Sequence, residues 1–292
     1  MGNQGKEGIE KLEYFAPKTL SEALILKGKW KAVGTFIAGG TNVIPDMRAK
    51  GLRPEVLIDL SHLKNLSYIK EEKKKIRIGS LTRISELASS KVIQKCAPIL
   101  SQAAYQLGNP LVRNRATIGG NLADASPAAD TAVPLLVLEA VVVAESDGRK
   151  RRQIPIDQFF TGQNRTALRR GEMIKEIIFP KPNSNAKMGY SKLGLRNAMA
   201  VSVVSVAILI DMDGNRCRKA RIGLGAVAPT PMRANRIEEI LTGREITKGL
   251  IEDCSIEVMK EISPITDIRA TEDYRRQMTS ILLRRVIEQV TS

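Results

Sequence analysis

The sequence has little of several residue types that would reveal a function directly. Its 292 residues contain three cysteines and one histidine, and aromatic residues make up only 4%. The cysteines form no C-x-x-C pair, so their spacing indicates neither a zinc site nor an iron–sulfur cluster. A single histidine, His62, cannot supply a metal site on its own. These absences predict no bound metal in this chain and favour three reduced thiols.

Long apolar runs are also absent. No run approaches the roughly 20 residues that a membrane-spanning helix needs. The first residues mix Lys, Glu and Pro and show no apolar signal core. We therefore expect a cytoplasmic protein without a membrane span.

Acidic residues are too few to balance the basic ones, and the formal net charge is +15. The excess charge gathers at predicted turns, at residues 70–77, 148–152 and 213–219, where charge is usually a solvated surface. Aromatic residues are too sparse to form platforms for base stacking. We predict no nucleic-acid binding and favour an acidic partner or an anionic cofactor. A basic assembly or nucleic-acid-binding protein stays open as an alternative.

Two short glycine segments are the most informative feature that is present. The first, Ala38-Gly39-Gly40-Thr41, follows the apolar run 33–37, and the second is Thr117-Ile118-Gly119-Gly120-Asn121. A Gly-Gly pair lets the backbone approach a bulky anion, and successive N–H groups in such a turn form an anion-binding nest. Two such nests, each beside a hydroxyl residue, favour a ligand with two adjacent phosphates and a long body. A flavin dinucleotide fits this description.

Hydrophobic periodicity predicts a mixture of helices and strands. It predicts a small β-α-β unit that ends near Ser61, with Thr19 as a helix cap, and a proline-containing linker at residues 180–185. The other predicted elements are hairpins at 66–78 and 140–156, helices at 82–88, 92–107, 131–138 and 272–290, and strands at 200–210 and 220–227.

A series of motifs carries a family resemblance along essentially the whole chain. In order they are Tyr14-x-x-Pro17, the Ala38–Thr41 turn, Val112–Arg115 leading into Thr117–Asn121, Ala125–Asp130, Phe159–Gly162, Gly225–Pro231 and Asp273–Arg276. In this order they resemble the FAD-binding medium subunit of molybdenum hydroxylases, the xanthine dehydrogenase and carbon monoxide dehydrogenase family. A stand-alone flavin oxidase of the p-cresol methylhydroxylase type is a second alternative, but the last third of the chain follows the hydroxylase pattern.

The resemblance implies an α+β fold and a set of partners. A FAD-binding domain of the p-cresol methylhydroxylase and vanillyl-alcohol oxidase type is expected at 1–182, with subdomains at about 1–61 and 62–182. A C-terminal sheet-plus-helices domain is expected at 183–292. The family also implies a large molybdopterin subunit and a small [2Fe-2S] subunit, in a dimer of heterotrimers. This chain would then pass electrons through FAD to NAD, a quinone or another acceptor.

The resemblance further implies cofactor-binding positions but no catalytic residue. The first segment should wrap the pyrophosphate and ribityl, and the second should form a second nest on the opposite side. The expected contacts are Ile37, Ala38, Gly39, Gly40, Thr41, Asn42, Thr117, Ile118, Gly119, Gly120, Asn121, Asp130, Ile174 and Lys192.

Three of these positions could have a structural role instead of contacting the cofactor. Asp130 could instead cap the helix predicted at 131–138, Ile174 could be a core residue, and Lys192 could be a surface lysine. The chain also departs from the family pattern. Asn42 stands where Asp is frequent, Leu107 stands where some members have an aromatic residue, and Ala200 stands where an acid is common. Stacking of an aromatic side chain on the cofactor is therefore not expected at Leu107.

Overall fold

The structure is a computed structural model that describes residues 12–49, 51–196 and 199–291. Within this range, buried apolar side chains form three clusters, which correspond to an N-terminal subdomain, a middle subdomain and a C-terminal domain. Helices and strands are mixed, as predicted. Among the described helices, none combines the length and the hydropathy that a bilayer crossing requires.

The N-terminal subdomain is a small parallel sheet with two helices. Its strands pair in the order β1-β3-β2. The Thr19 hydroxyl accepts a hydrogen bond from the Glu22 N–H at 3.2 Å, which confirms Thr19 as the cap of the first helix. The elements are β1 (Glu13–Phe15), α1 (Leu20–Trp30), β2 (Gly34–Ile37), α2 (Val43–Ala49) and β3 (Val56–Asp59).

The middle subdomain is built on a five-stranded antiparallel sheet of order β4-β5-β10-β6-β7. Both predicted hairpins are present as β4–β5 and β6–β7. The strands are β4 (Ile69–Glu71), β5 (Lys75–Gly79), β6 (Val141–Glu145), β7 (Arg151–Pro155) and β10 (Met173–Pro180), with a small separate hairpin of β8 (Phe160–Gly162) and β9 (Arg165–Thr166).

Short helices pack against this sheet. The single helix predicted over 92–107 is wrong, because Ala97 leaves the helical conformation (φ −148°, ψ 61°) and Pro98 starts a new helix. The helices are α3 (Ile84–Ser89), α4 (Lys91–Cys96), α5 (Pro98–Gln106), α6 (Pro110–Arg113), α7 (Ile118–Asp124), α8 (Ala132–Val137) and α9 (Ile156–Phe159).

The C-terminal domain is an antiparallel sheet of order β11-β12-β13-β14 that is buried on both faces. Alternate residues of β12 point to opposite faces, so Ala207 and Leu209 join the middle core while Ile208 and Ile210 join the C-terminal core. The elements are β11 (Ala186–Leu193), β12 (Val204–Asp213), β13 (Arg216–Gly225), β14 (Met232–Arg233), α10 (Asn235–Leu241), α11 (Lys248–Glu261) and α12 (Glu272–Thr291).

Glycines on β13 bring the C-terminal sheet against the middle subdomain. A Cβ on Gly223 would lie 2.7 Å from the carbonyl oxygen of Val133, in α8. A Cβ on Gly225 would lie 2.6 Å from Cγ2 of the same Val133. The Gly225–Pro231 motif therefore begins at a packing contact between domains. This contact holds the C-terminal domain against helix α8 of the middle subdomain.

Candidate functional site

A cleft of about 730 Å³ lies between the N-terminal and middle subdomains. Its volume falls within the range of pockets that bind organic cofactors. One wall comes from β2 and the loop that follows it, and the other comes from α7, β10 and the residues that precede α6. The loop after β2 stands at the carboxyl end of a parallel strand, where α/β sheets commonly bind ligands.

The first glycine segment presents unpaired backbone donors to this cleft. Within the described part of the chain, the N–H groups of residues 39–42 make no hydrogen bond. Gly40 has φ +72°, a conformation that a residue with a Cβ adopts only with strain. The Thr41 hydroxyl also has no hydrogen-bond partner among the described residues. The segment therefore has the free donors that an anion-binding nest requires.

The second glycine segment does not have the free N–H groups of the second nest that was expected. Thr117 caps helix α7, and Gly119 and Gly120 lie in its first turn. Its N–H groups are already bonded: Ile118 to the Thr82 carbonyl at 3.0 Å, Gly119 to the Ser80 carbonyl at 2.8 Å, and Gly120 to the Thr117 hydroxyl at 3.1 Å. A threonine cap and two neighbouring carbonyls thus make this segment a helix start.

Gly39 packs against the residues that directly precede the second segment. A Cβ on Gly39 would lie 2.0 Å from the Arg115 carbonyl oxygen, just before the second segment. Gly119 is equally confined, because its Cβ would lie 2.7 Å from the Ser80 Cβ. Gly120 is exposed, and its Cβ would meet only the Thr117 hydroxyl, at 3.0 Å. Gly39 and Gly119 therefore allow close packing, whereas Gly120 leaves open space in the cleft.

The structure brings most of the predicted residues together. Those that line the cleft are Ala38, Gly39, Gly40, Thr41, Asn42, Thr117, Gly119, Gly120, Asn121 and Ile174. Four others do not line it. Ile37 ends β2 beneath Gly40, Ile118 is fully buried, and Asp130 and Lys192 pair with each other. Cofactor contact by any of these residues remains a prediction.

Asp130 and Lys192 form a buried ion pair beside the cleft. Lys192 Nζ lies 2.7 Å from Asp130 Oδ2, and the Ser202 hydroxyl donates to Asp130 Oδ1 at 2.7 Å. Burial raises the pKa of the Asp130 carboxyl, and the bonds from Lys192 and Ser202 oppose this increase. The alternative role of Asp130 as a helix cap is wrong, because Thr131 precedes α8 and no side chain caps that helix.

The charge of the cleft is unusual for a site that would hold phosphate. No lysine or arginine is among the described residues that line it, whereas Asp46, Asp124 and Glu172 are. Burial raises the pKa of Glu172, but bonds from Arg152 and the Arg169 N–H outweigh it and hold that pKa below its ordinary value. Backbone N–H groups are therefore the main positive feature of the cleft.

Several lining residues were not found from the sequence. Asn164, in the turn between β8 and β9, has φ +53° and donates its side-chain N–H to the Asp124 carbonyl at 2.8 Å. This bond holds the hairpin that carries the Phe159–Gly162 motif over one end of the cleft. An asparagine after Gly162 was a usable turn signal. The apolar Phe36, Leu60, Leu81 and Met173 gave no such signal, since any core would accept them.

Two of the three departures from the family pattern, Leu107 and Ala200, lie in neighbouring segments. Leu107 lines the cleft and is mostly buried. The Met199 N–H donates to the Gly108 carbonyl at 3.3 Å, so the segment that contains Ala200 contacts the residue after Leu107. Asn197 and Ala198 lie outside the described residues.

The cysteines do not converge on a metal site. In residues 12–49, 51–196 and 199–291, no three Cys, His, Asp or Glu side chains come together where they could hold an ion. Cys217 and Cys254 are buried, and burial raises the pKa of each thiol to about 11. Both therefore remain protonated at neutral pH.

Comparison with protein families gives two matches. Residues 10–182 match the FAD binding domain in molybdopterin dehydrogenase, and residues 190–290 match the CO dehydrogenase flavoprotein C-terminal domain. Together the two models cover nearly the whole chain.

Relatives of known activity match over most of their own length. The carbon monoxide dehydrogenase medium chain of Hydrogenophaga pseudoflava is 32% identical and covers 95% of this chain and 96% of its own. The nicotinate dehydrogenase FAD-subunit of Eubacterium barkeri is 35% identical over 84% of each chain. The solved carbon monoxide dehydrogenase from Hydrogenophaga pseudoflava matches with a TM-score of 0.92, covering 96% of this chain and 97% of that one. The chain therefore belongs to the FAD-binding medium subunits of the molybdenum hydroxylases, the family that its motifs resemble.

Proposed function

We propose that this chain holds FAD in the cleft between its N-terminal and middle subdomains, with the pyrophosphate at residues 39–42. The run of unpaired N–H groups in this segment carries the proposal. Because no basic side chain among the described residues lines the cleft, these donors must supply most of the stabilisation of phosphate charge. The cleft volume and the absence of a Cβ at Gly120 provide the space.

The remaining lining residues suit the rest of the cofactor. Leu107, Val112 and Ile174 are apolar lining residues that would pack against a flavin ring and exclude water from it. The Asp124 carboxylate can accept a hydrogen bond from a hydroxyl group of the ligand. When bound, FAD supplies the redox chemistry, while the protein binds, orients and shields it.

The chain would act as the electron-transfer subunit of a larger enzyme. It would receive electrons from the [2Fe-2S] clusters of a small subunit, while a large molybdopterin subunit oxidises the substrate. The relatives named above support this because they are a medium chain and a FAD-subunit. A dimer of heterotrimers, a cytoplasmic location, the boundary between residues 182 and 183, and the p-cresol methylhydroxylase type of FAD domain remain part of the proposal.

An absorption spectrum of the purified chain tests the binding of FAD. The chain is titrated with FAD alone, and the titration is repeated with co-expressed molybdopterin and iron–sulfur subunits. We expect saturable flavin absorbance and quenched or shifted flavin fluorescence. Absence of flavin from both the isolated chain and the assembled complex would overturn the proposal.

A further inference from the structure

The side chain of Asn121 keeps free hydrogen-bond donors at the end of the second glycine segment. The backbone N–H groups of residues 118–121 are all bonded to nearby oxygen atoms. Asn121 lines the cleft and is partly buried, and its side-chain N–H groups have no hydrogen-bond partner among the described residues. This side chain can therefore donate to a ligand where the backbone of residues 118–121 cannot.

The oxygen of the Asn121 carboxamide is held by Thr131. The Thr131 hydroxyl donates to Asn121 Oδ1 at 2.6 Å, and the Thr131 backbone N–H donates to the same oxygen at 3.4 Å. Because a backbone N–H can only donate, the carboxamide atom that faces it must be the oxygen. The NH2 group of the planar carboxamide therefore points away from Thr131, and the protein does not enclose it.

The Thr131 hydroxyl is available for this bond because it does not cap its own helix. Thr131 precedes helix α8, where a threonine hydroxyl ordinarily accepts a hydrogen bond from the first turn. Here φ is −77° and ψ is −19°, a helical conformation, and the side chain makes no capping bond. Thr131 is fully buried, and a buried hydroxyl requires a partner. Asn121 provides that partner from ten residues earlier in the chain.

The C-terminal domain fixes the position of Thr131. Helix α8 packs against β13, where a Cβ on Gly223 or Gly225 would collide with Val133. Val133 is fully buried and lies two residues after Thr131. The close packing of α8 thus holds Thr131 in place, and Thr131 holds the Asn121 carboxamide.

We propose that Thr131 is a positioning residue, which fixes the Asn121 carboxamide so that its NH2 group donates to the bound flavin dinucleotide. This deepens the proposed function and rests on it for the identity of the ligand. A donor on this wall matters because no described lysine or arginine lines the cleft, whereas Asp124 and Glu172 do. The phosphate and hydroxyl oxygens of FAD are acceptors that suit an amide NH2 group.

A double-mutant cycle tests the coupling between the two residues. FAD affinity is measured in wild type, Thr131→Val, Asn121→Ala and the double variant, both in the isolated chain and in the complex with co-expressed partner subunits. The free energy of unfolding without flavin is measured in the same four chains. Thr131→Ser and Asn121→Asp are added because the first keeps the hydroxyl and the second keeps its acceptor.

Thr279→Val is the matched control. Thr279 is also a fully buried threonine, and its hydroxyl donates to the Arg275 carbonyl at 2.7 Å within helix α12. It does not line the cleft. Loss of a buried threonine hydroxyl as such should therefore lower the stability of Thr279→Val and leave its FAD affinity unchanged.

We expect Asn121→Ala to weaken FAD binding about tenfold, the upper range for one hydrogen bond, and Thr131→Val to weaken it about fivefold. The effect of Thr131→Val is smaller because the Thr131 backbone N–H still reaches Asn121 Oδ1. In the Asn121→Ala background, Thr131→Val should weaken binding no further. Thr131→Ser should bind FAD nearly as tightly as wild type. Asn121→Asp has no NH2 group and should bind FAD no better than Asn121→Ala.

Three results would overturn the proposal. Additive losses in the double variant would show that Thr131 acts on binding independently of Asn121. Unchanged affinity in Thr131→Val would show that the carboxamide needs no positioning. Wild-type affinity in Asn121→Asp would show that the NH2 group does not donate, and this variant decides the matter even if Thr131→Val does not fold. If wild type binds no FAD in the chain or the complex, the proposed function fails, while the unfolding free energies still decide whether Thr131 holds Asn121.

Discussion

The two glycine segments have similar sequences but different structures. Residues 39–42 form a loop whose N–H groups are unpaired in the described structure, whereas the N–H groups of residues 118–121 are all bonded to nearby oxygen atoms. The difference arises from what precedes each pair. The first follows a strand, while Thr117 caps a helix. The same Gly-Gly pattern therefore supplies free hydrogen-bond donors in the first segment, whereas in the second it forms the start of a helix whose N–H groups are already bonded.

In each segment the two glycines also have different structural roles. Gly39 and Gly119 allow close contact within the protein, with Arg115 and Ser80 respectively. Gly40 supplies a left-handed turn, and Gly120 leaves space open. A substitution can thus affect folding or ligand binding, depending on which glycine of a pair is changed.

Gly39→Val should have the largest effect, because its Cβ would lie 2.0 Å from the Arg115 carbonyl oxygen. We expect a loss of about 3 kcal/mol in the free energy of unfolding, at the upper end for overpacking. Chemical denaturation without flavin measures this. A variant as stable as wild type would show that Gly39 does not pack against Arg115.

Thr41→Val removes a hydroxyl that has no partner among the described residues while keeping the side-chain shape. We expect FAD affinity to fall by about tenfold, as for the loss of one hydrogen bond to a charged group. The free energy of unfolding without flavin should not change. Titration with FAD checks the first value, and unchanged affinity would remove Thr41 from the site.

Thr117→Val is the matched substitution in the second segment. It removes the cap that accepts the Gly120 N–H at 3.1 Å, so stability without flavin should fall by about 1 kcal/mol. FAD affinity should fall less than in Thr41→Val. The opposite ranking of the two variants would contradict the contrast between the segments.

Glu176→Gln tests how much the ionised Glu176 carboxylate, in strand β10 of the middle sheet, contributes to the pH dependence of stability. Burial raises the pKa of Glu176, but bonds from Arg77 at 2.7 Å and Tyr68 at 2.7 Å outweigh it and hold that pKa below its ordinary value of 4.5. A depressed carboxyl pKa stabilises the fold above 4.5, and this stabilisation is lost as pH falls through the depressed value.

The expected size of this effect is under about 1 kcal/mol, because the Arg77 side chain is one-third exposed. Denaturation curves at neutral pH and below pH 4.5 should show a smaller pH dependence in Glu176→Gln than in wild type. Equal pH dependence in both proteins would assign the acid sensitivity to other carboxyl groups.

Much of the fold followed from local sequence signals. The Thr19 cap, both hairpins and the final helix were predicted because each depends on neighbouring residues. The break at Ala97 was missed although Pro98 marked it, since the apolar spacing continues across it.

The candidate site was predictable only in part, because some of its features depend on distant residues. The carbonyls of Ser80 and Thr82 convert the second glycine segment into a helix start, and no local pattern predicts this contact. Likewise, the sequence placed Asp130 and Lys192 at the site individually but gave no sign that they pair with each other.

The central claim is that FAD occupies the space beside Gly120. FAD titration and thermal unfolding of Gly120→Val test it directly. Gly28→Val is the control, since Gly28 lies in α1, has open space around its missing Cβ and does not line the cleft. We predict at most a small decrease in Tm without flavin, from the 3.0 Å approach to the Thr117 hydroxyl, and FAD binding weakened at least about tenfold in Gly120→Val alone. Binding as tight as in wild type would contradict the account.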